Sequence, residues 1–142
     1  MSFYPPLLGA GVRVRRIAGP PIAFETRMKL RWWNRNYVGT HFGGSLYAMC
    51  DPFYMLILVH ELGPGYVVWD KAATVRFLRP GRGEVRASFV IPRERIEEIR
   101  RAADGAPKTE PRFLAEVRDG AGELVAEVDK LLYVRRRERA TS

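Results

Sequence analysis

Alternation is the clearest signal along this chain. From Ala23 to Trp33, Phe24, Thr26, Met28, Leu30 and Trp32 fall on one side, and Glu25, Arg27, Lys29 and Arg31 on the other. A period of two predicts a strand with one buried and one wet face. Glu84 to Ile91 repeats the pattern, with Val85, Ala87, Phe89 and Ile91 in phase. Tyr66 to Arg79 is a long β-rich run ending at Pro80-Gly81, and Val12-Arg13-Val14 is a short one within a proline- and glycine-rich start. Arg112 to Arg118 and Glu123 to Val134 predict a hairpin across Asp119-Gly120-Ala121-Gly122.

Two segments read as helices. Pro92 to Ala103 predicts a surface helix, with Pro at its first turn, Ile96 and Ile99 inward, and Glu97–Arg101 spaced i,i+4. Ser45 to Leu62 (SLYAMCDPFYMLILVHEL) is the longest apolar stretch. Its apolar residues occupy every side of a helical wheel, which predicts a helix buried nearly all round. Asp51 and Pro52 stand at its middle. An ionised aspartate at a bilayer centre costs roughly 3 kcal/mol, so a core helix is favoured over a membrane span. Pro52 predicts a bend, because its missing N–H leaves the Ala48 carbonyl without a donor. Gly63-Pro64-Gly65 ends the segment, and the polar, glycine-bearing loop Asn34 to Gly44 precedes it. The order predicts an α+β protein, an antiparallel sheet wrapped around one long central helix. A small sheet cannot cover such a helix completely, so the geometry also predicts dimerisation through the sheet edge or the helix surface.

Length and composition narrow the class. The 142 residues predict one domain over 1–142, with a frayed tail from about residue 135. A hydrophobic share of 46% excludes a disordered chain. Cys50 is the only cysteine, which excludes an internal disulfide framework and a cysteine-based zinc cage. His41 and His60 form no metal-ligand spacing, so neither metal nor cofactor is expected. No basic leader, apolar run and cleavage site follow Met1, and a cytoplasmic protein is expected. The net charge of +8 is an arginine charge, 20 Arg against 4 Lys. Arginine suits phosphate-bearing ligands. The dense runs lie near the termini and no helix-turn-helix is present, which disfavours nucleic acid as a partner.

Asp51 is the only charged side chain between Phe42 and Val59. A carboxylate in so apolar a segment is costly unless paired, and desolvation suits it to act as a base or nucleophile near neutral pH. The alternative is capping, since Asp-Pro is a common helix start. Gly43-Gly44 ahead of the helix leaves backbone N–H groups open to a ligand oxygen, as in an oxyanion hole, or is simply a flexible loop. Cys50 reads as buried filler, His41 as a loop hydrogen-bonder, and His60 as a partner of the helix C-terminal dipole. No His-x-x-x-His, Cys-x-x-Cys or Gly-x-Ser-x-Gly pattern occurs, which excludes zincin, redox and serine-hydrolase readings.

The run Asn36-Tyr37-Val38-Gly39-Thr40-His41-Phe42-Gly43-Gly44, with Asp51 nine residues after Phe42, resembles the signature of hotdog-fold acyl-CoA thioesterases. The phenylacetate-pathway branch carries the similar pattern Asn-x-x-Gly-x-x-His-Gly-Gly followed by a helical Asp. The wider text, RWWNRNYVGTHFGGSLYAMCDPFYM and VVWDKAATVRFLRPGRG, is similar to a hotdog domain family of unknown function, from about Pro5 to Arg136. The resemblance implies hydrolysis of an acyl-CoA or similar thioester in a pocket between subunits of a homodimer, possibly a dimer of dimers. It implies Asp51 as base or nucleophile, the Gly43 N–H as oxyanion donor beside Gly44, and Asn36 as positioner of water or substrate. Asp70, ten residues before Pro80, falls where relatives carry a water-orienting Ser or Thr. Phe42 stands in the histidine position, leaving His41 as the neighbouring substitute. Arg79 and Arg82, flanking Pro80-Gly81, are candidate contacts for the CoA phosphates. Two other readings stay open: a non-catalytic acyl or acyl-CoA binding module, and a nucleic-acid-binding regulator.

Overall fold

A computed structural model describes residues 12–29, 50, 52–79 and 83–137. Within them the order is β1 (Val12–Ile17), β2 (Ala23–Lys29), α1 (Phe53–Leu62), β3 (Tyr66–Phe77), β4 (Glu84–Phe89), α2 (Arg93–Gly105), β5 (Arg112–Asp119) and β6 (Leu124–Arg136). The strands form one six-stranded antiparallel sheet in the order β1-β2-β4-β5-β6-β3. The alternation translates directly into burial. Phe24, Thr26 and Met28 of β2 and Val85, Ala87 and Phe89 of β4 are buried, whereas Arg27, Lys29, Arg86 and Ser88 face solvent.

The helix α1 packs on the buried face of this sheet. Its first turn is held by aromatic rings: Phe53 stacks on Phe89 at 4.9 Å and meets Phe24 at 5.3 Å, while Tyr54 stacks on Phe113 at 4.8 Å. Fully burying one such side chain contributes about 1.5–3 kcal/mol. Gly63, at φ 83°, ends the helix. The Arg100 guanidinium of α2 then donates to the Glu61 and Leu62 carbonyls at 3.0 and 3.4 Å, which satisfies the terminal acceptors a helix leaves open.

Two expectations about this helix change. The described helix starts at Phe53, with Cys50 and Pro52 in turn conformation, so the chain does not pass through Pro52 as a bent helix. Proline cannot donate the bond that an interior position needs, and it stands instead at the N-cap. Residues 45–49 and Asp51 lie outside the described residues. The helix is also not buried all round. Phe53, Tyr54, Ile57, Leu58 and Leu62 form the covered stripe, while Met55 and Leu56 are half-buried and Val59 is 47% exposed. One sheet covers one side of a helix only.

The α2 segment is amphipathic as its spacing predicts, burying Ile96, Ile99 and Ala103. Glu97 pairs with Arg100 and Glu98 with Arg95, both at i,i+3. Pro92 is the N-cap of α2. In the β5–β6 turn, Asp119 Oδ1 accepts the N–H groups of Ala121 and Glu123, and Gly122 supplies the positive φ the turn requires. Among the described residues strand β3 pairs only with β6 and so forms one edge of the sheet.

Candidate functional site

On the inner face of β6 the residues Ala126, Val128, Leu132 and Val134 are all fully buried and apolar. Lys130 falls in the same row, also fully buried. Its Nζ lies 3.2 Å from Asp70 Oδ1 on β3, and the Asp70 side chain is 24% exposed against 1% for Lys130. The pair therefore runs from the interior towards the edge strand, with Asp70 its more exposed member.

A bulge makes this contact possible. Asp70 is in register with Leu132, whereas Ala72 is in register with Leu131 and Ala73 with Lys130. The extra residue in β3 lets Asp70 and Ala73 both turn to the inner face, the re-aiming that bulges provide near functional sites. On its other side Lys130 is in register with Phe113 of β5. Phe113 in turn stacks on Tyr54 in the first turn of α1. The Tyr54 hydroxyl donates to the Leu114 carbonyl at 3.0 Å. Burial, with Cys50 and Glu116 adding to it, pushes the Tyr54 hydroxyl pKa up to about 12. Cys50 is buried beside this turn, in keeping with filler. The ion pair thus stands against the aromatic cluster at the start of α1, immediately downstream of Asp51 in the chain. A carboxylate anchored there can orient a water molecule or accept a hydrogen bond from a ligand.

Of the candidates read from sequence, Asp70 lies on this inner face. Arg79 does not join it: its guanidinium pairs with Glu123 at 3.2 Å, both side chains being about half exposed. Asp51, Asn36, His41, Phe42, Gly43, Gly44 and Arg82 lie outside the described residues. His60, in the last turn of α1, is 3.6 Å from Glu61. Lys130 is the residue that sequence reading passed over. Its signal was present, since a cation stands in phase with Val128 and Leu132 in an otherwise apolar row.

Two surface clefts lie elsewhere among the described residues. One of about 490 Å³ follows the outer face of β4 and β5 past Ser88 and Glu116, and another of about 460 Å³ lies between the β1–β2 turn and the end of α1. In the first Arg118 pairs with Glu116, and in the second His60 lies 3.6 Å from Glu61. Neither cleft gathers convergent reactive groups as the inner-face site does. Among the described residues no cluster of three His, Cys, Asp or Glu could hold a metal, and no helix is long and apolar enough to cross a membrane.

A family model described as a domain of unknown function, DUF4442, matches residues 1–134. The chain belongs to this family. No curated protein matches it in sequence. Among solved structures, the DUF4442 chain is similar to a Pseudomonas aeruginosa protein of unknown function described as a probable thioesterase. The two share 25% identity over 87% of this chain and 83% of that one, with a TM-score of 0.72. A Haemophilus influenzae thioesterase shares 16% identity over 99% of this chain and 90% of its own, at a TM-score of 0.68. A Chlorobaculum tepidum protein of unknown function shares 15% over 96% and 89%, at 0.75. The last two likenesses are of fold. The DUF4442 chain accordingly has the α+β hotdog fold of the thioesterase-like superfamily.

Proposed function

We propose that this protein hydrolyses an acyl-CoA or related thioester, in the cytoplasm, as one hotdog domain over residues 1–142 whose pocket is shared between two copies. The observation that carries the reading is the likeness at 25% identity to the Pseudomonas aeruginosa protein described as a probable thioesterase. The run from Asn36 to Asp51 supports it and ties it to the phenylacetate-pathway branch. Asp51 either attacks the thioester carbonyl or removes a proton from the attacking water. The backbone N–H of Gly43, with Gly44 beside it, stabilises the oxyanion as the tetrahedral centre forms. Asn36 positions water or substrate, with His41 and Phe42 as substrate-binding residues and Asp70 orienting the water. Where Asp51 removes the water proton, the tetrahedral centre expels the CoA thiolate, which takes up that proton, and the carboxylic acid remains. Where Asp51 attacks, the thiolate leaves an acyl–aspartyl anhydride that water then hydrolyses to the acid and the free Asp51 carboxylate.

Arg79 and Arg82 are the contacts for the CoA phosphates. The Arg79–Glu123 pair is exposed, and such pairs are worth little, so a phosphate can displace the carboxylate. Sharing of the pocket is supported by what one chain leaves uncovered. Strand β3 lies at the edge of the described sheet, and the exposed Phe77 and Leu78 and the outer side of α1 at Met55, Leu56 and Val59 are apolar. A homodimer through that edge, or a dimer of dimers, covers them.

The test is thiol release from acetyl-, hexanoyl-, benzoyl- and palmitoyl-CoA. Turnover of at least one is expected. Phe42 in the histidine position favours one second reading, a non-catalytic acyl-CoA binding module. Saturable binding of these esters by calorimetry without thiol release would replace the hydrolase with that reading.

A further inference from the structure

A fully buried lysine in an apolar strand row is difficult to explain by stability. Desolvating an ammonium and a carboxylate costs several kcal/mol per ion, and their attraction returns this only with good geometry. Replacing such a pair by apolar side chains of similar volume is often neutral or stabilising. The row of Ala126, Val128, Leu132 and Val134 illustrates the packing that this face of β6 accepts. Lys130 departs from it, and a bulge in β3 turns its partner Asp70 towards it.

The location singles the pair out. Lys130 is flanked in register by Phe113, which stacks on Tyr54 one residue into α1. The same turn follows Asp51 directly in the chain. Asp70 is the member of the pair that reaches solvent, and Lys130 is enclosed behind it. An enclosed ammonium cannot meet a substrate itself. It can hold the carboxylate in one orientation and offset its charge.

We propose that Lys130 is a positioning residue of the active site, acting through its ion pair with Asp70 to fix the carboxylate that orients the attacking water. The inference rests on the thioesterase reading above. Misplacing a reacting group by about 1 Å can lower a rate by about 100-fold. The Lys130→Met variant keeps the length and packing and removes the charge.

The experiment measures kcat, KM and melting temperature for wild type, Lys130→Met, Asp70→Asn and the double variant, on whichever of the four CoA esters the wild type turns over fastest. Lys130→Met is expected to lower kcat by about 10- to 100-fold with KM within about threefold, and Asp70→Asn to do the same. The double variant is expected to be no slower than either single variant, because the two residues act as one unit. Its melting temperature should equal or exceed that of the wild type. If Lys130→Met leaves an unpaired carboxylate that prevents folding, the double variant, which carries no buried charge, gives the same reading. Wild-type kcat in the folded Lys130→Met or double variant overturns the role of Lys130 while leaving the hydrolase reading intact. A loss of kcat that is additive in the double variant overturns it as well. A wild type inactive on all four esters overturns both.

Discussion

Asp51 and Tyr54 lie three residues apart, and each carries a prediction. Asp51→Asn keeps the side-chain volume and removes the base, so turnover should fall by about 10²–10⁴-fold. Because the change also relieves a charge in an apolar segment, the melting temperature should stay level or rise. An N-cap would be served nearly as well by Asn, so unchanged turnover in that variant would remove Asp51 from the mechanism. Tyr54 makes a different case. Its hydroxyl satisfies the Leu114 carbonyl, and burial raises its pKa from 10.0 to about 12. A group whose proton is held more tightly in the folded state stabilises fully below the unfolded pKa and loses that contribution as pH rises through the folded one. Stability should therefore decline between about pH 10 and 12, and Tyr54→Phe should flatten that decline. At neutral pH the same variant should lose about 0.5–1.5 kcal/mol, because the part-buried Leu114 carbonyl loses its hydrogen bond. Urea titrations at a series of pH values read both effects.

At the scale of elements, α1 depends on its first turn. Phe53 is fully buried between Phe24 of β2 and Phe89 of β4. Phe53→Ala should cost about 3–5 kcal/mol, visible as a fall in the urea midpoint with unchanged slope. The C-terminal end is tied differently, through Arg100 of α2 to the Glu61 and Leu62 carbonyls. Arg100 also lies 5.5 Å over the Tyr66 ring, whose hydroxyl donates to Asp104. Thus α2, inserted between β4 and β5, clasps the junction where α1 passes into the edge strand β3.

For the whole molecule the exposed edge is the consequential feature. Among the described residues the twelve of β3 have one neighbouring strand, β6, and half-exposed Trp69, Phe77 and Leu78 stand along or just beyond it. Light scattering at micromolar concentration should give at least twice the chain mass of 16.2 kDa. Phe77→Lys combined with Leu78→Lys should shift that mass towards the monomer, since charges placed on an edge oppose strand pairing. A 16.2 kDa particle from the unaltered chain would refute the shared pocket.

The strands were legible from the sequence because alternation is local: each residue in Ala23–Lys29 or Glu84–Phe89 carries its own share of the period. The hairpin around Asp119 and the inward face of α2 follow from equally short-range chemistry. The Asn36–Asp51 run is likewise a pattern of residue types at close spacing, and all of it but Cys50 lies outside the described residues. The start of α1 was not legible, because an apolar run gives no phase in which an ending shows, and only Pro52 marked the place. Nor was the uncovered side of α1, which depends on how many strands reach across it. Least visible was the meeting of Asp70 with Lys130, sixty residues apart. It depends on the register of β3 against β6 and on a one-residue bulge, and a slip of one position would send either side chain to the opposite face. Burial periodicity belongs to a single strand, but register belongs to a pair of them. Only the tertiary structure decides it.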